Sequence, residues 1–151
     1  MTRREKLHLE GFLPYRLSVL SNTVSSAIAA AYFANFGLSI PEWRIVAVLA
    51  ANPGLSAAEV TARTAMDKVA VSRAVQGLLA AGRLVRAYDA GDRRRTRLRL
   101  SSAGQSVYTR VAPLALSYEK KLLDALSATD RRALDRLVGR LIERAKRLAA
   151  S

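Results

Sequence analysis

The chain contains no cysteine and a single histidine, His8, in 151 residues. Without cysteine there is no disulfide framework, thiolate metal site or thiol redox switch. One imidazole leaves a histidine metal cluster or a Ser-His-Asp triad without material. The carboxylates are scattered along the periodic segments, no nucleophile has a base at a plausible spacing, and no glycine-rich loop is present to cradle a phosphate. An enzyme is not expected, nor a metal or cofactor. The sequence also lacks a long unbroken apolar run. Residues 17–41 carry no charge, but Ser18, Ser21, Asn22, Thr23, Ser25, Ser26 and Asn35 interrupt them, where a membrane span needs about 20 mainly apolar residues. Arg3, Arg4 and Lys6 could open a signal peptide, yet Ser21–Thr23 breaks its apolar segment. The expectation is a soluble helix buried by other helices, with no membrane partner and a cytoplasmic location.

Half of the residues are hydrophobic, and 25 Lys and Arg stand against 12 Asp and Glu, a net charge of +13. That composition is globular, and the length fits one domain or one domain with a helical extension. The basic surplus suggests a polyanion, either nucleic acid or an anionic membrane. Its distribution separates the two. Residues 63–99 hold ten basic residues against three acidic ones, so over half the net charge sits in a quarter of the chain. Arginine dominates there, and its guanidinium suits phosphate forks and narrow minor grooves. The bland alternative is a solvated hairpin that keeps the protein soluble. RNA is disfavoured, because the basic region offers only Tyr88 for base stacking.

Periodicity organises the chain as four helices, a hairpin and two helices. Leu13, Leu17, Leu20, Val24, Ala27, Ala31 and Ala34 make one face of a helix over 12–36, with Phe12, Ile28, Tyr32 and Phe36 beside it and Gly37 closing it. Ser39 with Glu42 and Ser56 with Glu59 read as capping boxes, opening helices to about Ala51 and Thr64. Asp67 can cap a helix to Ala81, followed by Gly82. Residues 84–88 and 97–100 are β-prone, with a long basic tip expected at 89–96. A long helix from near Ser101 contains Pro113, and a third box, Ser127 with Asp130, begins the last helix.

The segment 56–81 therefore reads as a short helix, a tight turn and a second helix. Val71, Val75 and Leu78 of the second helix point inward at helical spacing. The opposite side offers Lys68, Ala70, Ser72, Arg73 and Gln76. A major groove admits one helix, where Arg and Gln read guanine and adenine edges and small residues allow close approach. The alternative, an ordinary amphipathic helix, leaves the adjoining arginine hairpin unexplained.

These residues resemble the MarR family of bacterial winged-helix transcriptional regulators over nearly the whole chain. Leu55 through Ala87 carry the likeness, above all Asp67-Lys68-Val69-Ala70-Val71-Ser72-Arg73-Ala74-Val75 with Leu78, Leu79 and Gly82. Asp89-x-x-Asp92-Arg93-Arg94, followed by Leu98-x-Leu100-Ser101-x-x-Gly104, is similar to the family's wing, and Leu126-Ser127-x-x-Asp130 to the start of its last helix. Gly91 departs from the larger, often charged residue common there, and the absent cysteine excludes the thiol-oxidation sensing of one branch. The fold implied is mainly α with a small β-hairpin. Residues 1–37 and 102–151 would form a helical dimerisation region around a winged helix-turn-helix lobe, 38–101.

The resemblance implies an obligate homodimer on double-stranded DNA, with two recognition helices in successive major grooves of a pseudo-palindrome. Wide apolar faces at both ends of the chain agree with a dimer independently. Lys68, Ala70, Ser72, Arg73 and Gln76 would face bases or phosphates, and Ser56 would hold a phosphate at a helix start. Arg94 or Arg95 would enter the minor groove beside Arg93, with Asp92 orienting a neighbouring arginine. Many members are released from DNA by small aromatic or phenolic acids. Here Arg16 could meet such a carboxylate, Phe33, Trp43 and Tyr108 could form aromatic walls, and Arg86 could reach in from the first wing strand. Against this, Phe33 and Trp43 also fit a plain core, and Arg16 could pair with Glu10 or Glu42.

The expected function is a sequence-specific regulator, a repressor on the family's pattern, with a small aromatic acid as effector. The alternative is an architectural protein that binds duplex DNA by charge alone. Replacing Arg94 and Arg95 together by alanine should weaken binding to every duplex. It should also flatten the dependence of log affinity on log salt by about one for each phosphate no longer neutralised. Fluorescence anisotropy over a salt series measures this, and an unchanged slope removes the wing from the DNA interface.

Overall fold

A computed structural model describes residues 5–89 and 91–151, apart from the side chains of Phe33, Asp89, Asp92, Arg93, Arg94 and Arg95. A short 3-10 turn at Leu9–Gly11 precedes α1, Leu13–Phe36, which has Pro14 in its first turn and ends at Gly37. α1 is long and apolar enough to cross a membrane by length and composition, with a mean hydropathy of 1.3 over its best window. The expected burial by other helices is only partly realised. Ala29 and Tyr32 near its end are buried, but Leu13 and Leu20 remain 46% and 51% exposed.

α2, Ile40–Ala51, begins with both bonds of the expected box. Glu42 N donates to Ser39 Oγ at 3.2 Å, and Ser39 N to Glu42 Oε1 at 3.1 Å. Ile45, Val46 and Leu49 point from it into the core. α3, Ala57–Thr64, adds Val60, and α4, Lys68–Ala80, adds Val71, Ala74, Val75 and Leu78. β1, Leu84–Asp89, and β2, Asp92–Leu100, form an antiparallel pair that contributes Leu84 and Leu98. Leu55 joins β2 as a one-residue third strand, with Leu98 N donating to Leu55 O at 2.8 Å. Val107 and Val111 of α5, Ser102–Leu123, complete the core.

The hairpin differs from the sequence expectation. In place of a long tip over 89–96, the ladder continues until Asp89 faces Asp92, with a register shift after Tyr88. Tyr88 opposite Thr96 is a favourable aromatic and β-branched pair. The charge run hides the strand because ladder bonds use backbone groups and do not depend on side-chain charge.

Gly82 lies at φ +72, a left-handed conformation that glycine adopts without penalty, and it turns the chain from α4 into β1. Around it converge several bonds. Ser101 Oγ donates to Gly82 O, Ser101 N to Arg83 O at 3.1 Å, and Gly104 N to Ser101 Oγ at 3.1 Å. The Arg83 guanidinium donates to the Phe36 carbonyl and so satisfies the end of α1.

By its contacts the chain divides into two compact units, one running to Pro113 and the other Leu114–Ser151. In the second, Ser127 caps α6, Ala128–Ala150, by accepting from Asp130 N at 3.1 Å. The expected box is only half formed here, since aspartate is one methylene shorter than glutamate and the return bond is not made. Arg131 ties down the preceding turn through Leu123 O at 2.9 Å and Asp124 Oδ1 at 3.0 Å. α6 is amphipathic, yet none of its residues is buried in the single chain.

A β-carbon on Gly104 would collide with the Arg83 carbonyl oxygen. Gly104→Ala should therefore destabilise the protein by about 1–3 kcal/mol, the usual cost of overpacking. Chemical denaturation checks this, and an unchanged midpoint would show that the junction yields freely.

Candidate nucleic-acid interface

The helix-turn-helix is built from local caps. Ser56 opens α3 with the second box, in which Glu59 N donates to Ser56 Oγ at 3.2 Å and Ser56 N to Glu59 Oε1 at 3.4 Å. Ala65 ends α3 in the left-handed region at φ +53, a conformation that costs a non-glycine residue about 1–2 kcal/mol. This reverses the chain within three residues, and Asp67 restarts it by accepting from Ala70 N at 2.8 Å. Arg63 donates to Asn52 Oδ1 at 3.1 Å, and the Asn52 amide to Val48 O at 3.2 Å, which pins the back of the motif to α2.

α4 is then held by one side only. Val71, Ala74, Val75 and Leu78 are buried, while Lys68, Ser72, Arg73 and Gln76 are exposed and Ala70 is half-buried. The exposed side is flanked by two hollows. A groove of about 440 Å³ between α4, α3 and β1 is lined by Lys68, Ser72 and Gln76 with Ala57, Ala58, Thr61 and Arg86. A notch of about 330 Å³ on the other flank is lined by Ala70, Arg73 and Gly77 with Ser39, Pro41 and Glu42. Four polar side chains thus share one convex face, with small residues at its margins. Such a surface can offer donors and acceptors to base edges and positive charge to phosphates.

Ser56 stands apart, in a hollow with Glu59, Thr96 and Arg97. Its hydroxyl also lies 3.1 Å from Glu59 Oε1, so it is already engaged in the box. The expected wing residues Asp92, Arg93, Arg94 and Arg95 lie on β2, but their side chains are outside the described residues. Val69, at 61% exposure the one large apolar residue on the outer face of α4, is not among the residues that the sequence pattern singles out. Its helical position opposite the buried stripe is the available signal.

The suggested effector residues are only partly brought together. Trp43 stacks on Tyr108 at 6.0 Å and 16°, and Tyr32 lies against Trp43 at 5.4 Å and 43°. Trp43 and Tyr108 are half-buried and pack against the core, and the buried Tyr32 is an addition to the expected aromatic set. Burial pushes the Tyr32 hydroxyl pKa up to about 12. The Phe33 side chain is outside the described residues. Arg16 is exposed on α1, about 24 Å along the helix from Tyr32 at 1.5 Å per residue. Among the described residues it has no ion-pair partner, and Glu42 is committed to its box. Arg86 lines the groove beside Lys68 and Gln76.

A helix-turn-helix followed by a two-stranded wing, with a polar recognition face, is the architecture of a winged-helix regulator. Comparison with known proteins agrees. The profile of the MarR family matches residues 36–95. The HTH-type transcriptional repressor Rv2887 of Mycobacterium tuberculosis is 26% identical over 132 residues, covering 87% of this chain and 91% of the relative. A MarR/EmrR family transcriptional regulator from Acinetobacter sp. ADP1 superposes with a TM-score of 0.85 at 25% identity, covering 93% of this chain and 99% of that one. The fold is also that of the PcaV transcriptional regulator from Streptomyces coelicolor, solved with its natural ligand, with a TM-score of 0.75, 23% identity and 93% and 99% coverage. Over residues 36–95 the chain carries the MarR-family profile, and over most of its length it is similar to MarR-family regulators. It is a winged-helix transcriptional regulator and not an enzyme.

Asp67→Ala removes the cap of the recognition helix and should cost about 1 kcal/mol, lowering the thermal midpoint by roughly 2–4 °C for a chain of this size. Differential scanning calorimetry measures it, and an unaltered midpoint would mean that the turn holds α4 without its cap.

Proposed function

We propose that the protein is a homodimeric repressor that reads a pseudo-palindromic operator in double-stranded DNA and acts in the cytoplasm. The observation that carries this reading is the one-sided burial of α4, which leaves Lys68, Ser72, Arg73 and Gln76 exposed on a single face. In this reading Arg73 and Gln76 contact base edges, Ala70 allows close approach, and Lys68 and Ser72 contact bases or phosphates. Ser56 at the start of α3 and the wing residues Asp92, Arg93, Arg94 and Arg95 position the backbone.

The dimer is supported by apolar surface that one chain leaves open. Leu13, Leu17 and Leu20 on α1 are exposed, as are Leu134, Leu137, Leu141 and Ile142 on α6. Patches of this kind mark protein interfaces, and a second copy is the economical cover. We assign residues 1–37 and 102–151 to this region and 38–101 to the DNA-binding lobe. Two recognition helices related by a two-fold axis then meet half-sites about one helical turn apart.

Release by a small aromatic or phenolic acid is the second part of the proposal. The stacked Trp43 and Tyr108 supply a wall, with Phe33 and Arg86 as further candidates. Arg16, too far along α1 to join them within one protomer, would meet the carboxylate from the second copy. The acid must bind the DNA-incompetent spacing of the two lobes more tightly than the competent one, since equal affinity shifts nothing.

Selection from a randomised duplex library with the purified full-length protein tests both readout and symmetry. A two-fold symmetric site preferred over bulk duplex by about a thousandfold is expected. Arg73→Ala with Gln76→Ala should erase that preference while leaving salt-sensitive binding in place. No enrichment, with equal affinities that collapse together as salt rises, would favour a charge-driven architectural role.

A further inference from the structure

Val69 is the second residue of α4 and is 61% exposed. At 3.6 residues per turn it points about 170° away from the mean direction of Val71, Ala74, Val75 and Leu78. Gln76 then lies about 20° to one side of it and Arg73 about 40° to the other. It lines neither the groove that holds Lys68, Ser72 and Gln76 nor the notch that holds Ala70 and Arg73. Val69 therefore stands on the crest between them. It is the most outward side chain in the first turn of the helix.

Helix stability does not account for a valine there. An exposed first-turn position favours alanine or an acidic residue, which complements the positive end of the helix dipole, and valine offers neither advantage. Isolated apolar residues are ordinary on a protein surface, so the weight of the argument rests on this placement. The recognition helix of such a motif touches base edges with its N-terminal residues. In the major groove the base edges present hydrogen-bond donors and acceptors, and the one methyl group among them is the 5-methyl of thymine. A branched apolar side chain finds its best complement in that methyl group. A β-branched side chain is stiff at χ1, so docking the two methyl groups costs little conformational entropy.

We infer that Val69 is a specificity-determining residue that packs on a thymine 5-methyl group in each half-site. Arg73 lies one turn further on, about 6 Å along the axis, which is less than two base-pair steps. A guanine read by Arg73 then falls within two steps of that thymine. The inference rests on the base-reading function proposed above and narrows it to one chemical group.

Replacing thymine by deoxyuridine deletes the methyl group and nothing else. In the selected duplex each thymine is replaced singly by deoxyuridine, and affinity is measured by competition anisotropy. The wild-type protein should lose about three- to fivefold at one thymine per half-site, the value of one buried methyl group, and little elsewhere. Val69→Ala should fold normally, since the residue is exposed and alanine favours helix. It should bind the parent duplex about three- to fivefold more weakly and be indifferent to deoxyuridine at that position. A penalty that persists unchanged in Val69→Ala assigns the methyl contact to another residue and overturns the inference. So does a wild-type protein that tolerates deoxyuridine everywhere while still preferring its selected site. Failure to select any duplex is a different result, because it removes base reading itself and Val69 with it.

Discussion

The burial of one side of α4 is the constraint on which the rest depends. Val71 and Leu78, at 2% and 0% exposure, lock the helix into a core shared with Ile45, Leu49 and Val60. Burying side chains of this size is worth about 1.5–3 kcal/mol each, far more than any hydrogen bond on the outer face. Rotation of α4 by even a quarter turn would expose that stripe. Which residues of α4 face outward is therefore decided by packing.

A second constraint acts at the end of the same helix. Gly82, Arg83, Ser101 and Gly104 meet where α4, β1 and α5 join, and the Arg83 guanidinium reaches back to the Phe36 carbonyl at the end of α1. α1 ends, α4 ends and α5 begins within one network of short polar contacts. Such a joint is stiff because each group satisfies another that would otherwise be left unpaired. Gly104 sharpens this, since its missing side chain is what allows α5 to start against the Arg83 carbonyl. A displacement at the end of α1 thus acts on the last turn of α4 and not on a flexible linker.

Much of this is legible in the sequence, because the decisive signals are local. Ser39 with Glu42, Ser56 with Glu59, and Asp67 mark their helix starts through contacts spanning three residues, and all three caps form. The inward side of α4 follows from a period of 3.6. What the sequence conceals depends on partners distant in the chain. The strands extend to Asp89 and Asp92 because backbone pairing resumes past a register shift after Tyr88, among residues whose side chains look like loop. The aromatic trio needs α1, α2 and α5 to converge, so Tyr32 gives no sign of belonging with Trp43 and Tyr108. Arg16 shows the converse. It ends an uncharged stretch in the sequence, which draws attention to it, but helix length carries it far from those rings.

The exposed faces complete the physical argument. α6 repeats leucine and isoleucine on one side and arginine on the other, yet none of its residues is buried in a single chain. α1 behaves likewise over its first half. A helix gains most of its stability in proteins from packing such a face, and little from intrinsic propensity. The polar residues along α1, from Ser18 to Asn35, are ill suited to lipid but compatible with a helical partner. Dimerisation in the proposed form would therefore be part of folding for these segments. The spacing of the two recognition helices would then be set by the same apolar contacts that make the terminal helices stable. An effector lodged near those contacts need not touch DNA, since changing how the two copies pack changes the distance between the surfaces that read it.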